Sequence, residues 1–385
     1  MFNTSIIQSQ GKNQIPEKLF ILFLVLGSII LRLINLNSPL VTGNEFRQTQ
    51  TAITVWTFIK EGISMFGYQT PVFGPPWTIP MEFPIFQLTA AFIVKLGIEN
   101  IDLAGRIAAI LYFYLSAYFL FLICTKAFDK VASSCILLFY LWSPYTIVWS
   151  RNFMIDYASV AFCLGYFYFF IRWIYDSQRL ISFVLAITFG LIGYLIKVTT
   201  VPIVVFPMAY LALKRTFVIL KDENNPLLQN IKSNIGFLFS MTCIFLIPML
   251  PSYYWLHYTD SIKAGSEFSS HLTSANLSEW IYGTWLQRMT LANWATIIHR
   301  IVSYLVTYPG MVFLLLGIPL YFKSSKKGIE LIATFSLGAF LTIFTFFNLY
   351  WVHFYYLMAV SPVISILTGY CCYLVLSKIL DDNFR

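Results

Sequence analysis

The chain alternates long apolar runs with short polar stretches. The clear runs are residues 19–37, 107–124, 131–149, 157–173, 181–198, 200–213, 235–255, 301–321, 330–348 and 354–377. A membrane-spanning helix needs about 20 apolar residues, and backbone in lipid must be helical unless it closes a barrel. The pattern therefore predicts an all-α, polytopic membrane protein with about ten spans. The short run 200–213 and its predecessor are also compatible with a broken hairpin around Thr199, Thr200 and Pro202.

The composition supports a membrane protein and excludes a soluble one. Hydrophobic residues make up 58% of the 385 residues and charged residues 11%, against about 25% charged residues in soluble domains. The net charge of +8 is spread over short loops rather than gathered in one patch. The positive net charge therefore does not indicate a nucleic-acid partner.

One apolar stretch, residues 83–98, determines the predicted topology. It contains a Gln, a Thr and a Lys, and its length is typical of an interfacial or re-entrant segment. If it does not cross, 15 Lys and Arg residues lie in inner loops and nine in the longer outer segments. The positive-inside rule favours that topology. It predicts cytoplasmic tails at 1–18 and 378–385, a transmembrane domain at 19–377, and large outer loops at 38–106 and 256–299.

The first outer loop carries the densest polar cluster, which includes Asn44, Glu45 and Arg47. An amphipathic pattern over 46–63 predicts a helix lying on the membrane surface. Glu45 has two interpretations: the capping box Thr42-x-x-Glu45, or a general base beside an anion site at Arg47. Arg47 alone is also compatible with contact to lipid headgroups.

Further ionisable and aromatic groups lie at predicted outer ends of spans. Each has a structural alternative: solvation or pairing with Arg106 or Arg151 for Glu82, an Arg151–Asp156 pair, snorkelling of Lys197 and an aromatic belt around His353. The outer loop 256–299 adds several aromatic side chains that suit a lid or acceptor groove, or an interfacial anchor. These candidate ionisable and aromatic residues are Glu82, Arg151, Asp156, Lys197, Trp280, Tyr282, Trp285, Trp294, His353, Tyr355 and Tyr356.

The order of these motifs resembles a known family. An acidic-x-Arg loop after the first span, a surface helix, an E-x-P loop, an outer turn ending in Asp156 and a late His353-x-Tyr355-Tyr356 occur in sequence. This order resembles the membrane glycosyltransferases of GT-C fold, near the bacterial relatives of protein O-mannosyltransferases and aminoarabinose transferases. Where relatives have Asp-Glu, this chain has Asn44-Glu45, and where some have Lys, it has Phe83.

The resemblance implies a glycosyltransferase in the inner (plasma) membrane with its active site on the outer face. It implies a polyprenyl-phosphate sugar donor, a glycan, lipid or protein acceptor, and Glu45 as base beside Asn44. It implies donor-phosphate contacts from a set of basic and aromatic residues, namely Arg47, Arg151, Lys197, His353, Tyr355 and Tyr356. It also implies a divalent metal (Mg, Mn or Zn) near Asp156 and Glu82.

Two alternatives stay open at the level of sequence. Transporters and lipid flippases place ionisable groups near mid-bilayer, whereas here the charges gather toward the outer ends of the spans, apart from Arg32 within the first run. A catalytically inactive, lipid-binding relative is the other alternative, because the usual first-loop Asp is Asn44.

Overall fold

The structure is a computed structural model that describes residues 14–40, 43–71, 77–176, 179–221, 227–323 and 328–383. Within those ranges it is helical, and the only strand-like feature is an isolated bridge between Gln69 and Thr78. The helices are α1 (Gln14–Leu33), α2 (Glu45–Lys60), α3 (Ile85–Lys95), α4 (Ile101–Ala127), α5 (Lys130–Trp142), α6 (Pro144–Trp149), α7 (Asp156–Tyr175), α8 (Arg179–Lys197), α9 (Pro202–Leu220), α10 (Leu227–Ala264), α11 (Ser278–Tyr282), α12 (Trp285–Met289), α13 (Leu291–Arg300), α14 (Thr307–Lys323), α15 (Ile329–Thr345), α16 (Phe347–Val352) and α17 (Leu357–Asn383).

Every predicted apolar run contains a helix. Seven helical segments of the described chain are long and apolar enough to cross a membrane, and three further runs hold the shorter apolar helices Leu19–Leu33, Lys130–Trp142 and Ile329–Thr345. The prediction of an all-α, polytopic architecture is therefore confirmed. The count of about ten spans stays a prediction.

Prolines set several boundaries that the apolar pattern alone places wrongly. The run 131–149 is two helices, because Pro144 cannot continue the hydrogen-bond ladder of α5 and begins α6 instead. The predicted break before Pro202 is confirmed by a 3-10 turn at Val198–Thr200. In contrast, α10 continues through Pro248 and Pro251 for 38 residues, about 57 Å at 1.5 Å per residue. Its last turns therefore reach beyond a 30 Å hydrocarbon core.

Helix α3 is short for a span. Its 11 residues extend about 16 Å, roughly half of the hydrocarbon core. Phe86, Ala90 and Ala91 are buried on it, and it packs against α2 and α4. This geometry agrees with a segment that enters the membrane surface without crossing.

The topology predicts a labelling result at position 99. Glu99 is exposed after α3, and Lys221 is exposed after α9 on the predicted opposite side. We expect Glu99→Cys to react with a membrane-impermeant maleimide from the outer face and Lys221→Cys only from the inner face. The native cysteines are buried or half-buried, so wild type supplies the background. Inner-face labelling of position 99 would show that residues 83–98 cross.

Helix α7 lies at the centre of the fold. It packs against α4, α8, α9 and α17, and its candidate span is the most enclosed of the seven. Asp156 is its first residue, and Lys197 is the last residue of its neighbour α8. The central helix pair therefore carries two charged side chains to the same end of the bundle.

Candidate functional site

Helix α2 buries several polar side chains as well as the apolar Val55 and Phe58. Gln48, Thr51 and Thr54 are buried, whereas Phe46 and Trp56 are exposed. The Gln48 amide donates to the carbonyl of Gly43 (2.9 Å) and accepts from the backbone N–H of Phe153 (3.0 Å). The predicted helix is confirmed, and its position at a membrane surface stays a prediction.

Glu45 is the first residue of α2 and is exposed. Its carboxylate accepts a hydrogen bond from the backbone N–H of Gly43 (3.1 Å) and has no ion pair with a described residue. Asn44 precedes it in a left-handed conformation (φ 55°), with its side-chain Nδ2 buried and without a hydrogen-bond partner. Thr42, on which the capping-box interpretation depends, lies outside the described residues.

Arg47 pairs with Glu82. The guanidinium Nη2 lies 3.0 Å from Glu82 Oε2, its Nη1 donates to Gln50 (2.9 Å), and Gln87 donates to the other Glu82 oxygen (3.0 Å). Of the alternatives for Glu82, solvation and a pairing with Arg106 or Arg151 are therefore both wrong. Those arginines bind carbonyls of the loop that follows α1 instead.

Both members of this pair are ionised. Burial raises the pKa of Glu82, but the charge and hydrogen bond of Arg47 bring it below its usual value. Burial opposes the charge of Arg47, and the charge of Glu82, with smaller interactions from Tyr355 and Tyr356, holds the pKa of Arg47 above its usual value. Arg47 therefore lies close to Tyr355 and Tyr356 of the His353-x-Tyr355-Tyr356 segment.

Asp156 pairs with Lys197 where α7 begins and α8 ends. The contact joins Lys197 Nζ to Asp156 Oδ1, and both side chains are largely buried. Asp156 Oδ2 is buried without a hydrogen-bond partner. The alternative of an Arg151–Asp156 pair is wrong, because Arg151 instead donates to the carbonyl of Ile34.

Lys197 connects the second pair to the late aromatic motif. Its ammonium lies 4.1 Å from the ring centroid of Tyr356 and 5.5 Å from that of Tyr355. The two tyrosine rings stack at 4.6 Å, and His353 lies 5.3 Å from Tyr355. Burial and the charges of Lys197 and Arg300 lower the pKa of His353, so its imidazole is neutral at pH 7.

The structure thus brings together seven of the residues singled out in the sequence, and we call this group the ionic cluster. Its members come from five separate segments of the chain: Arg47, Glu82, Asp156, Lys197, and the stretch with His353, Tyr355 and Tyr356. Trp280 of the second outer loop lies over it, with its ring 5.8 Å from His353. Tyr282, Trp285 and Trp294 instead pack on phenylalanines of α15 and its C-terminal end.

Sequence reasoning missed several partners of the cluster. Gln50 and Gln87 hold Arg47 and Glu82, and Tyr68 accepts from the Met81 backbone N–H (2.5 Å) while donating to the Glu82 carbonyl (2.7 Å). Lys263 is buried near the outer end of α10, within electrostatic range of Glu82. A lysine near the end of an apolar run was the only sequence signal for it.

The carboxylates do not fit a divalent metal as they are arranged. Glu82 and Asp156 each carry a cationic side chain, and no group of three His, Cys, Asp or Glu side chains suited to a metal occurs in the described part of the chain. The unpartnered Asp156 Oδ2 is a single ligand. A bound metal therefore stays a prediction that rests on the resemblance alone.

Arg151 lies outside the ionic cluster. It lines a cavity of about 810 Å³ together with Gly43, Arg106 and Trp149. Gly43 donates to Glu45, so the Glu45 carboxylate lies beside this cavity. The Trp149 ring also lies 6.1 Å from Tyr355, which makes it a shared neighbour of the cavity and the cluster.

Comparison with known proteins supports the resemblance. Residues 80–255 match the family model described as dolichyl-phosphate-mannose-protein mannosyltransferase. Over this segment the chain resembles those mannosyltransferases. The match covers somewhat less than half of the chain and includes Glu82, Asp156 and Lys197. The predicted membership in the bacterial branch stays a prediction.

A solved structure is also similar to the chain. The crystal structure of the Archaeoglobus fulgidus oligosaccharyltransferase, in complex with Zn and sulfate, aligns with a TM-score of 0.47 and 12% sequence identity. The alignment covers 94% of this chain and 51% of the oligosaccharyltransferase, so the chain spans about half of that protein's length. No curated protein matches the chain.

Proposed function

We propose that the protein is a membrane glycosyltransferase of GT-C type that moves a sugar from a polyprenyl-phosphate donor to an acceptor hydroxyl at the outer membrane surface. The observation that carries the proposal is the ionic cluster. Its four charged residues come from four segments of the chain, and three of these residues lie within the family-matched region. Clustered basic side chains beside a membrane surface suit a lipid-linked phosphate.

The cluster would bind the donor phosphate. Arg47 and Lys197 supply positive charge, and the Tyr355 and Tyr356 hydroxyls and the neutral His353 imidazole supply hydrogen bonds. Because Glu82 and Asp156 pair with the two cations in the free protein, the phosphate would compete with carboxylates for them. Stabilising negative charge on the departing phosphate is often the largest catalytic contribution.

Glu45 would act as the general base. The acceptor oxygen forms a bond to the anomeric carbon, its proton passes to the Glu45 carboxylate, and the bond from that carbon to the phosphate oxygen breaks. Polyprenyl phosphate leaves with the bonding electron pair. Glu45 suits this role because it is exposed beside the large cavity and its carboxylate is not held by a cation among the described residues.

An inner-membrane location with both termini cytoplasmic belongs to the same proposal. It is supported by the distribution of basic residues and by the short α3. The charged residues of the cluster lie at helix ends and in the first outer loop, as an interfacial enzyme needs. A transporter would instead hold its charges near mid-bilayer.

A donor panel tests the proposal directly. The full chain in nanodiscs would be mixed with radiolabelled polyprenyl-phosphate sugars, with Mg²⁺, Mn²⁺ or a chelator. We expect release or transfer of sugar from at least one donor. If donors bind to folded protein and none releases sugar, the protein is an inactive relative. Movement of an intact donor across sealed vesicles would identify a flippase.

A further inference from the structure

The cavity beside Glu45 is a site that the donor chemistry does not use. Its volume of about 810 Å³ lies in the range of small-molecule pockets, roughly 300–1,000 Å³. It is enclosed by the loop after α1, by the turn around α6 and by the π-helical segment Ile301–Val306. No member of the ionic cluster lines it.

Two arginines give the cavity a positive charge. Arg106 is 3% exposed, and it interacts repulsively with Arg151. Asp102, one turn before Arg106, attracts it but forms no ion pair with it and does not line the cavity. No Asp or Glu is among the described residues that line the cavity.

The hydrogen bonds of these arginines leave the charge uncompensated. Arg106 donates from Nη1 and Nη2 to Ser38 Oγ (2.8 Å) and to the carbonyls of Asn35 and Pro39 (3.4 and 3.0 Å). Its Nε is buried without a hydrogen-bond partner. Neutral acceptors fix the loop after α1, but they do not cancel two positive charges. A purely structural role therefore explains the contacts and leaves the charge unexplained.

Aromatic side chains also line the cavity. Tyr145, Trp149, Tyr304 and Phe354 line it, and Trp149 packs edge-on against Phe354 at 5.1 Å. A ligand that contacts both the arginines and the aromatic side chains carries an anionic group and an apolar portion. A free inorganic anion would use only the arginine side.

We propose that this cavity is an anion site for the acceptor, separate from the donor-phosphate site, and that the acceptor is an amphiphile carrying a phosphate group. The inference rests on the proposed glycosyltransferase function and names its acceptor class. Arg106 and Arg151 would hold the acceptor phosphate, while the acceptor hydroxyl lies toward Glu45, which contacts the cavity through Gly43.

Hexyl phosphate is a water-soluble probe for this site. Its binding to the full chain in nanodiscs would be measured by titration calorimetry. Inorganic phosphate and hexan-1-ol, which carry only the anionic or only the apolar part, would be titrated for comparison. We expect hexyl phosphate to bind more tightly than either. Arg151→Gln should weaken it about 10- to 100-fold, the effect of losing one charge-assisted hydrogen bond. Arg179→Gln, which removes a charge from an exposed position at the start of α8, is the matched control.

Two further variants keep the test decisive. Ser303→Trp fills the cavity from its exposed rim without removing a charge, so it should also weaken binding even if arginine variants fold poorly. Arg47→Ala should leave the Arg151-dependent binding unchanged, since Arg47 belongs to the ionic cluster. Loss of all hexyl phosphate binding in Arg47→Ala, or wild-type binding in both cavity variants, would overturn the proposal. Equal affinity for inorganic phosphate would overturn its amphiphilic part.

The two proposals fail in distinguishable ways. If hexyl phosphate binds through Arg151 but no donor releases sugar, the cavity is an anion site and the proposed transferase function is wrong. If donors release sugar in a Glu45-dependent reaction while both cavity variants bind hexyl phosphate like wild type, the transferase stands and the acceptor site falls.

Discussion

Glu45→Gln should reduce turnover about 10²- to 10⁴-fold while donor affinity stays within about twofold of wild type. Glutamine keeps the size and the acceptor oxygen of the side chain, so the hydrogen bond from the Gly43 N–H can persist. It removes the negative charge that accepts the acceptor proton. The measurement is single-turnover sugar transfer at saturating donor, together with equilibrium binding of the same donor.

Glu61→Gln is the matched control. Glu61 follows the last residue of the same helix, is exposed and accepts from Gln69 Nε2 (2.6 Å), away from the cavity and the ionic cluster. We expect its turnover to equal that of wild type. If Glu45→Gln also turns over normally, Glu45 is not the base. Glu82 would then be a poor substitute, because Arg47 lowers its pKa and both its oxygens already accept hydrogen bonds.

The apolar pattern predicts the helices well because lipid and core both demand them. It does not predict which side of a helix is buried. In α2 the period predicts the helix, but Gln48 and Thr51 are buried with Val55 and Phe58, whereas Phe46 and Trp56 of the predicted apolar face are exposed. In a soluble protein the same pattern would bury the opposite face.

The sequence does not predict which charged residues of the site pair, for a different reason. Glu82 and Arg47 are 35 residues apart, and the path of the intervening loop decides that they meet. Charge alone left Arg106 and Arg151 as equally reasonable partners. Asp156 and Lys197 meet because α7 and α8 are antiparallel neighbours, and the first residue of α7 lies beside the last residue of α8. That pairing follows from the predicted topology, although the sequence did not single it out.

The unusual first loop of this chain is compatible with a base at Glu45. Asn44 occupies the position where the resemblance implies Asp, and the structure places its side-chain nitrogen in a buried position without a partner. An uncharged side chain there leaves the exposed Glu45 as a carboxylate that accepts from the cavity-lining Gly43. The chain thus keeps one carboxylate at the start of α2 where relatives have two.

Removing Lys197 should cost both stability and donor binding, and a double variant separates the two. Lys197→Met leaves Asp156 buried, unpaired and with one oxygen already lacking a partner, which we expect to cost about 3–5 kcal/mol. Asp156→Asn should cost less, because the freed ammonium keeps its position 4.1 Å from the Tyr356 ring. Thermal unfolding of the purified chain measures both.

The double variant Asp156→Asn/Lys197→Met should recover most of the stability, since no buried charge is left unpaired. Donor affinity should stay about 10- to 100-fold below that of wild type, because the cation that we propose contacts the donor phosphate is still missing. The equivalent double change in the Lys126–Asp176 pair, which lies at the other ends of α4 and α7, should leave donor affinity unchanged. If Asp156→Asn/Lys197→Met binds donor like wild type, the central pair only holds α7 to α8, and the donor phosphate must rely on Arg47 and the tyrosines.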